Sequence, residues 1–129
     1  MTIDWQALRN EAKSAMAKAY APYSNFPVGA AALTTTGVII SGCNVENASY
    51  GLGLCAECSL VSALKMQQAG ELIAFTCCDK NGNLLMPCGR CRQLLFEHAA
   101  EGMVLETPSG IKPITEVLPD AFGPKDLDR

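Results

Sequence analysis

Two short clusters, Cys55-Ala56-Glu57 and Pro87-Cys88-Gly89-Arg90-Cys91, constrain this chain most, because a fold that uses them together must bring two distant segments to one point. Residues three apart on the first turn of a helix are neighbours. Cys88 and Cys91 can therefore grip one ion while Cys55 approaches from another helix. Helix N-termini present unpaired N–H groups and partial positive charge, and both stabilise thiolates. Three thiolates suit Zn²⁺ with a fourth position left for water, whereas a fourth cysteine would close the tetrahedron. Glu57, two residues from a ligand, can move protons to and from that water without coordinating. The expected ligands are Cys55, Cys88 and Cys91, with Glu57 as the catalytic acid and base.

A rival reading uses the same residues. Cys58 completes a second C-x-x-C, and C-x-x-C twice over is the outline of a structural Cys₄ zinc site. Against it, the intervening stretch encloses a whole expected helix and strand, longer than the about 15–20 residues of zinc-ribbon spacers. One Zn²⁺ and three thiolates sum formally to −1, which weakens the ion as a Lewis acid and calls for a nearby cation. Arg90, between two ligands, and Arg92 beside them are the local candidates to donate to ligand sulfur; a solvated arginine is the plainer alternative for each. Cys43, Cys77 and Cys78 lie in apolar runs and read as buried hydrophobes. His98, the one histidine, stands seven residues past Cys91 and gives no support to a nucleophile–histidine pair.

At 129 residues and 49% hydrophobic content, one core and one domain spanning residues 1–129 are expected. No apolar run approaches the roughly 20 residues of a membrane span, and residues 1–20 lack the apolar core of a secretory signal, so the reading is a soluble cytoplasmic protein with no membrane partner. Seven cysteines, an odd number, then read as reduced thiols. A net charge of −3 without Lys/Arg runs offers no footprint for nucleic acid.

Asp4 is placed to cap a helix over 5–19, stopped by Pro22. Residues 28–33 and 38–43 read as a β-hairpin around a turn at 34–37, and the Gly/Asn/Ser-rich 44–54 as a surface loop. A helix over 55–68 with Gly70 as its stop, a buried strand over 72–78, and a helix over 90–99 follow. Short strands at 103–105 and 111–114 flank a turn at 108–110, before helical turns near Val117 and Leu127. The sum is a three-layer α/β/α domain whose mixed sheet has about five strands.

A ligand-x-Glu followed by Pro-Cys-x-x-Cys is the general signature of zinc deaminases, here with cysteine in place of histidine. The chain resembles the small cytidine deaminases over nearly its full length, in five blocks: Tyr23-Ser24-Asn25-Phe26-Pro27-Val28-Gly29-Ala30, Gly42-Cys43-Asn44-Val45-Glu46-Asn47-Ala48-Ser49-Tyr50, Cys55-Ala56-Glu57, Pro87-Cys88-Gly89-Arg90-Cys91-Arg92-Gln93, and Leu118-Pro119-Asp120-Ala121-Phe122. The resemblance implies that Asn44 and Glu46 hold ribose hydroxyls, that Phe26 packs on the pyrimidine, and that the Ala56 carbonyl orients the exocyclic amine. An amide and a carboxylate can satisfy vicinal hydroxyls, and an aromatic face can hold a flat base. By themselves the same residues read as a loop-capping pair and a core aromatic. The resemblance further implies a homotetramer in which Phe122 reaches a neighbour's pocket, so that active sites are shared. In Leu-Pro-Asp-Ala-Phe the aromatic could equally anchor the tail on its own core.

The expected chemistry is hydrolytic deamination of cytidine and deoxycytidine, serving pyrimidine salvage. Zinc lowers the pKa of water from ~15.7 towards roughly 7, so that hydroxide attacks the amino-bearing ring carbon while Glu57 shuttles protons. Deaminases of blasticidin S resemble the chain around Pro87-Cys88-Gly89-Arg90-Cys91, which keeps a related aminopyrimidine nucleoside as an alternative substrate. A redox thiol module is the non-zinc alternative. The chain departs from the family's common pattern at Cys58, where arginine is usual, and at Arg90, where a small residue is usual. Arg90 is thus expected to take over charge compensation. Gln93 reads as a second-layer residue or helix surface.

Overall fold

The computed structural model describes residues 2–128. Asp4 does cap the first helix, its Oδ1 accepting the Ala7 N–H at 3.1 Å, and α1 (Trp5–Met16) buries Leu8, Ala12 and Ala15 on one side. The helix ends before the expected Ala19. Lys18 and Ala19 tighten to Ala15 and Met16 carbonyls, and the Tyr20 N–H then leaves for Asn44 O at 3.0 Å, pulling the chain into a bridge beside Val45. A tertiary partner, not Pro22, sets this boundary.

The hairpin forms as β1 (Gly29–Thr34) and β2 (Ile39–Cys43), with Gly29 opposite Cys43 and Leu33 opposite Ile39. α2 (Ala56–Met66) leads into β3 (Leu72–Cys78), and α3 (Gly89–Glu97) into β4 (Ala99–Thr107) and β5 (Gly110–Pro113). β4 starts four residues before the expected strand, because the Leu72 N–H bonds His98 O at 2.9 Å and draws Ala99 alongside β3 as soon as α3 ends. Ile114, expected at the end of a strand, instead begins the short α4 (Ile114–Val117), and a 3₁₀ turn covers Pro124–Leu127.

The five strands lie in the order β2-β1-β3-β4-β5; only β3 and β4 run parallel, so the sheet is mixed as expected. Successive residues of β1 serve opposite faces: Ala31 packs with Leu8 and Ala12 of α1, while Ala30 and Ala32 join Leu60, Leu64 and Leu95 of α2 and α3. β3 is buried along almost its whole length, as a strand covered on both sides must be. The three-layer α/β/α architecture follows from this pattern. At Gly42 a Cβ would stand 2.5 Å from Leu60 N and 2.6 Å from Ala56 O, so a residue without a side chain lets the first turn of α2 lie directly on β2.

Candidate active site

The two sheet-top helices deliver the cysteines. Cys55 is the N-cap of α2 and Cys88 the N-cap of α3, each with extended backbone, and Cys91 follows one turn into α3. Their three Sγ atoms lie within 4.8 Å of one another. Tetrahedral zinc with bonds of about 2.3 Å needs sulfurs about 3.8 Å apart, so the donor set fits that ion with small adjustments. Cys58, one turn beyond Cys55, is outside this cluster, which among the described residues is the single metal-competent group. The separation speaks against the closed Cys₄ reading. All seven cysteines are free thiols.

Burial pushes the Cys55 and Cys91 thiols up, with Glu57 adding repulsion to each, whereas backbone N–H donation from Cys91 leads in drawing Cys88 down. Glu57, in the first turn of α2, is only 5% exposed. Burial raises its carboxyl above the ordinary value, offset in part by hydrogen bonds from its own backbone N–H and from the Cys91 side chain. It faces an inner cavity of about 270 Å³ lined also by Phe26, Val28, Cys55, Cys77 and Cys88. An outer cleft of about 490 Å³, lined by Tyr23, Ser24, Glu46 and Tyr50 among others, shares Asn44 and Cys55 with it. The two spaces form one approach to the cysteines, with Glu46 in the outer cleft and Glu57 in the inner cavity.

Asn44 and Glu46 act first on the protein itself. Asn44 Oδ1 accepts the Val28 N–H at 2.8 Å and its Nδ2 donates to Phe26 O at 3.0 Å. Glu46 Oε1 accepts the Tyr23 and Ser24 N–H groups at 2.9 and 3.1 Å, and its Oε2 takes the Ser24 hydroxyl. That hydroxyl leads in holding the Glu46 carboxyl below the usual range. Both residues thus cap the 23–28 loop and also line the cleft. Phe26 is no core aromatic: it is about half exposed and forms part of the inner wall.

Ala56 is placed differently from the expectation. Its carbonyl lies in helical register against Gly42 and Leu60 N, pressed onto β2, so it is not turned to an exocyclic amine. At the first position of α2 the residue instead has its backbone N–H without an intrahelical acceptor. Arg90 Nη1 reaches Cys58 Sγ at 3.6 Å, with Cys55 and Cys91 close enough to reinforce its charge, but the hydrogen bond goes to the non-ligand sulfur. Arg92 does not donate to sulfur: its guanidinium binds Pro87 O at 2.8 Å and Val117 O at 3.1 Å, tying the approach to Cys88 to the end of α4. Gln93 Nε2 donates to Phe122 O at 2.7 Å and so fastens the tail, leaving the Phe122 ring 60% exposed.

Two contributors escaped the sequence. Ser24 carried no motif of its own beyond its block, and Cys77, assigned no chemistry, lies in the inner wall with its thiol donating to Leu85 O at 3.2 Å. Burial pushes that thiol far up, so it remains a neutral packing group.

Comparison with known proteins agrees with this geometry. The family described as "Cytidine and deoxycytidylate deaminase zinc-binding region" matches residues 3–107. Cytidine deaminase of Mycobacterium tuberculosis is 52% identical over 127 residues, covering 98% of this chain and 96% of that protein. A crystal structure of a point variant of that enzyme superposes with a TM-score of 0.93 at 50% identity, covering 97% and 99% of the two chains. Cytidine deaminase from Mycobacterium leprae gives 0.90 at 52% identity, covering 92% and 100%.

Proposed function

This chain belongs to the cytidine and deoxycytidylate deaminase family of enzymes, and from that premise we propose that it deaminates cytidine and deoxycytidine hydrolytically, giving uridine or deoxyuridine and ammonia. The observation that carries the reading is the convergence of the Cys55, Cys88 and Cys91 sulfurs, two of them lining one cavity with a buried Glu57. Zinc bound by these thiolates would acidify water enough to supply a nucleophile near neutrality. Glu57 takes the proton released as the water oxygen bonds to the amino-bearing ring carbon, and passes it to the adjacent ring nitrogen. It then takes the remaining proton of the added hydroxyl and delivers it to the amine, so that the C–N bond breaks, the carbonyl forms and ammonia leaves. Burial suits the carboxyl to this traffic by letting it hold a proton closer to neutral pH.

Phe26 offers the base a face, Asn44 and Glu46 offer the sugar their remaining hydrogen-bonding capacity, and Ala56 offers the base its backbone N–H. Arg90, through Cys58, offsets part of the negative charge of the thiolates. The exposed Phe122 ring, on a tail whose backbone Gln93 holds, supports a homotetramer with shared sites, as do the exposed Val45, Tyr50 and Leu54 that line the outer cleft. Light scattering should give a mass near four chains; a concentration-independent monomer would contradict that assembly. No helix among the described residues is long and apolar enough to cross a membrane, and a cytoplasmic role in pyrimidine salvage accords with a free nucleoside substrate. Ultraviolet loss of cytidine with zinc-loaded protein, run beside Glu57→Gln, tests the whole reading: conversion by wild type, reduced about 10²–10⁴-fold in the variant, is expected. Folded, zinc-loaded wild type that leaves cytidine untouched refutes it.

A further inference from the structure

The 23–28 loop is held to the outer cleft by a small set of polar groups whose capacity can be counted. A carboxylate offers about four acceptor positions, and three of those on Glu46 are taken by Tyr23 N–H, Ser24 N–H and the Ser24 hydroxyl. A carboxamide offers two acceptor positions and two N–H donors, and Asn44 spends one of each on Val28 and Phe26. What remains is one acceptor on Glu46 and one donor and one acceptor on Asn44, a set that two neighbouring sugar hydroxyls can fill.

The Ser24 hydroxyl stands between this sugar end and the base end. Its oxygen accepts the Phe26 N–H at 3.0 Å, while its hydrogen goes to Glu46 Oε2. The direction is fixed, since an ionised carboxylate has no proton to give and a backbone N–H can only donate. Both backbone polar groups of Phe26 are thus held by residues of the sugar end: the N–H through Ser24 to Glu46, the carbonyl by Asn44. Between Ser24 and Phe26, Asn25 turns the chain at a φ of 54°, a left-handed conformation that asparagine tolerates, with its N–H on Ala21 O at 3.0 Å.

We propose that Ser24 is a positioning residue that couples recognition of the sugar hydroxyls at Glu46 to the placement of Phe26 against the base. The inference rests on the reading of Glu46 as the sugar ligand. A nucleoside that engages Glu46 tightens the carboxylate against Ser24 and through it the backbone of Phe26; one without hydroxyls leaves the relay unused. The same hydroxyl keeps the carboxyl ionised, so its loss also moves Glu46 protonation to higher pH.

The test compares Ser24→Ala and Ser24→Thr with wild type on cytidine and on 2′,3′-dideoxycytidine, which presents no hydroxyl to Glu46, with zinc content measured for each. For cytidine, Ser24→Ala is expected to raise KM about tenfold and leave kcat within about twofold, the size of one lost charge-assisted hydrogen bond. On the dideoxy substrate that penalty should shrink at least about threefold. The acid limb of kcat/KM for cytidine should move upward, and Ser24→Thr, which keeps the hydroxyl, should restore both. Ser24→Cys, similar in size and a weak donor, serves as a second loss variant. An equal penalty on both substrates at full zinc occupancy overturns the coupling and reduces Ser24 to loop structure. Wild type inactive on cytidine overturns the functional reading itself, and is seen before any variant is made.

Discussion

Replacing Gly42 by alanine tests whether the seat of α2 on β2 sets the chemistry as well as the fold. The new Cβ would stand 2.5 Å from Leu60 N and 2.6 Å from Ala56 O, both backbone atoms that cannot rotate away. Restoring an ordinary contact near 3.4 Å requires the first turn of α2 to lift by about 0.9 Å. That turn carries Cys55 at its cap and Glu57. Overpacking of this kind costs about 1–3 kcal/mol, or roughly 4–12 °C in Tm for a domain of this size. A displacement of about 1 Å at the reacting groups costs about 10²-fold in rate. The expected result is therefore a folded protein with kcat for cytidine down about 100-fold and weakened zinc retention, read by steady-state kinetics, metal analysis and thermal denaturation together. Gly51→Ala, where a Cβ would meet nothing within 4 Å, is the control and should change neither. A Gly42→Ala enzyme with kcat within twofold of wild type would show that α2 can shift without disturbing the site, and would refute the reasoning.

Cys58→Ser should keep one zinc per chain and most of its activity, because Cys58 lies outside the three-sulfur cluster; metal loss on this change would restore the Cys₄ reading. Arg90→Ala should lower zinc affinity and turnover about tenfold, in the range of other groups that act on metal ligands from outside, and unchanged zinc retention and kcat would exclude charge compensation by this residue. His98 gives a pH signature in stability. Burial, reinforced by Lys65, lowers its pKa below 6.5, so the unfolded chain binds the proton more readily than the folded one. Stability from this group is complete above about pH 6.5 and declines as the pH falls towards the folded value. His98→Gln should lose less Tm than wild type between pH 7 and 5, and parallel curves would remove His98 from the acid response.

The ligand set was legible because its constraints are local: a Cys-x-x-Cys at a helix start brings two sulfurs together whatever the rest of the fold does, and an isolated Cys-Ala-Glu supplies what is missing. Cys58 was ambiguous for the same reason, since spacing alone cannot tell a residue one turn further along α2 from a fourth ligand. The C-terminal end of α1 and the start of β4 were misplaced because Tyr20 and Leu72 find hydrogen-bond partners on segments remote in sequence, Asn44 and His98. Arg92 looked like a donor to sulfur only because of its position next to Cys91; its carbonyl partners come from the loop before α3 and from α4. The carbonyl role of Ala56 rested on the resemblance alone, and sequence does not show how closely a glycine strand lets a helix approach.

The starts of α2 and α3 differ from the start of α1. Asp4 caps α1 with a carboxylate oxygen, whereas Cys55 and Cys88 put sulfur, a weaker acceptor, at the N-cap positions. A good capping side chain is worth about 1 kcal/mol to a helix, and both helices forgo it at the positions where sulfur is wanted. If zinc held by Cys55, Cys88 and Cys91 adds order to the first turns of α2 and α3, chelation of zinc-loaded protein should accelerate amide hydrogen exchange there while leaving the first turn of α1 protected. Metal supply would then govern how long this end of the molecule stays closed to solvent, making occupancy a determinant of the protein's lifetime as well as of its rate.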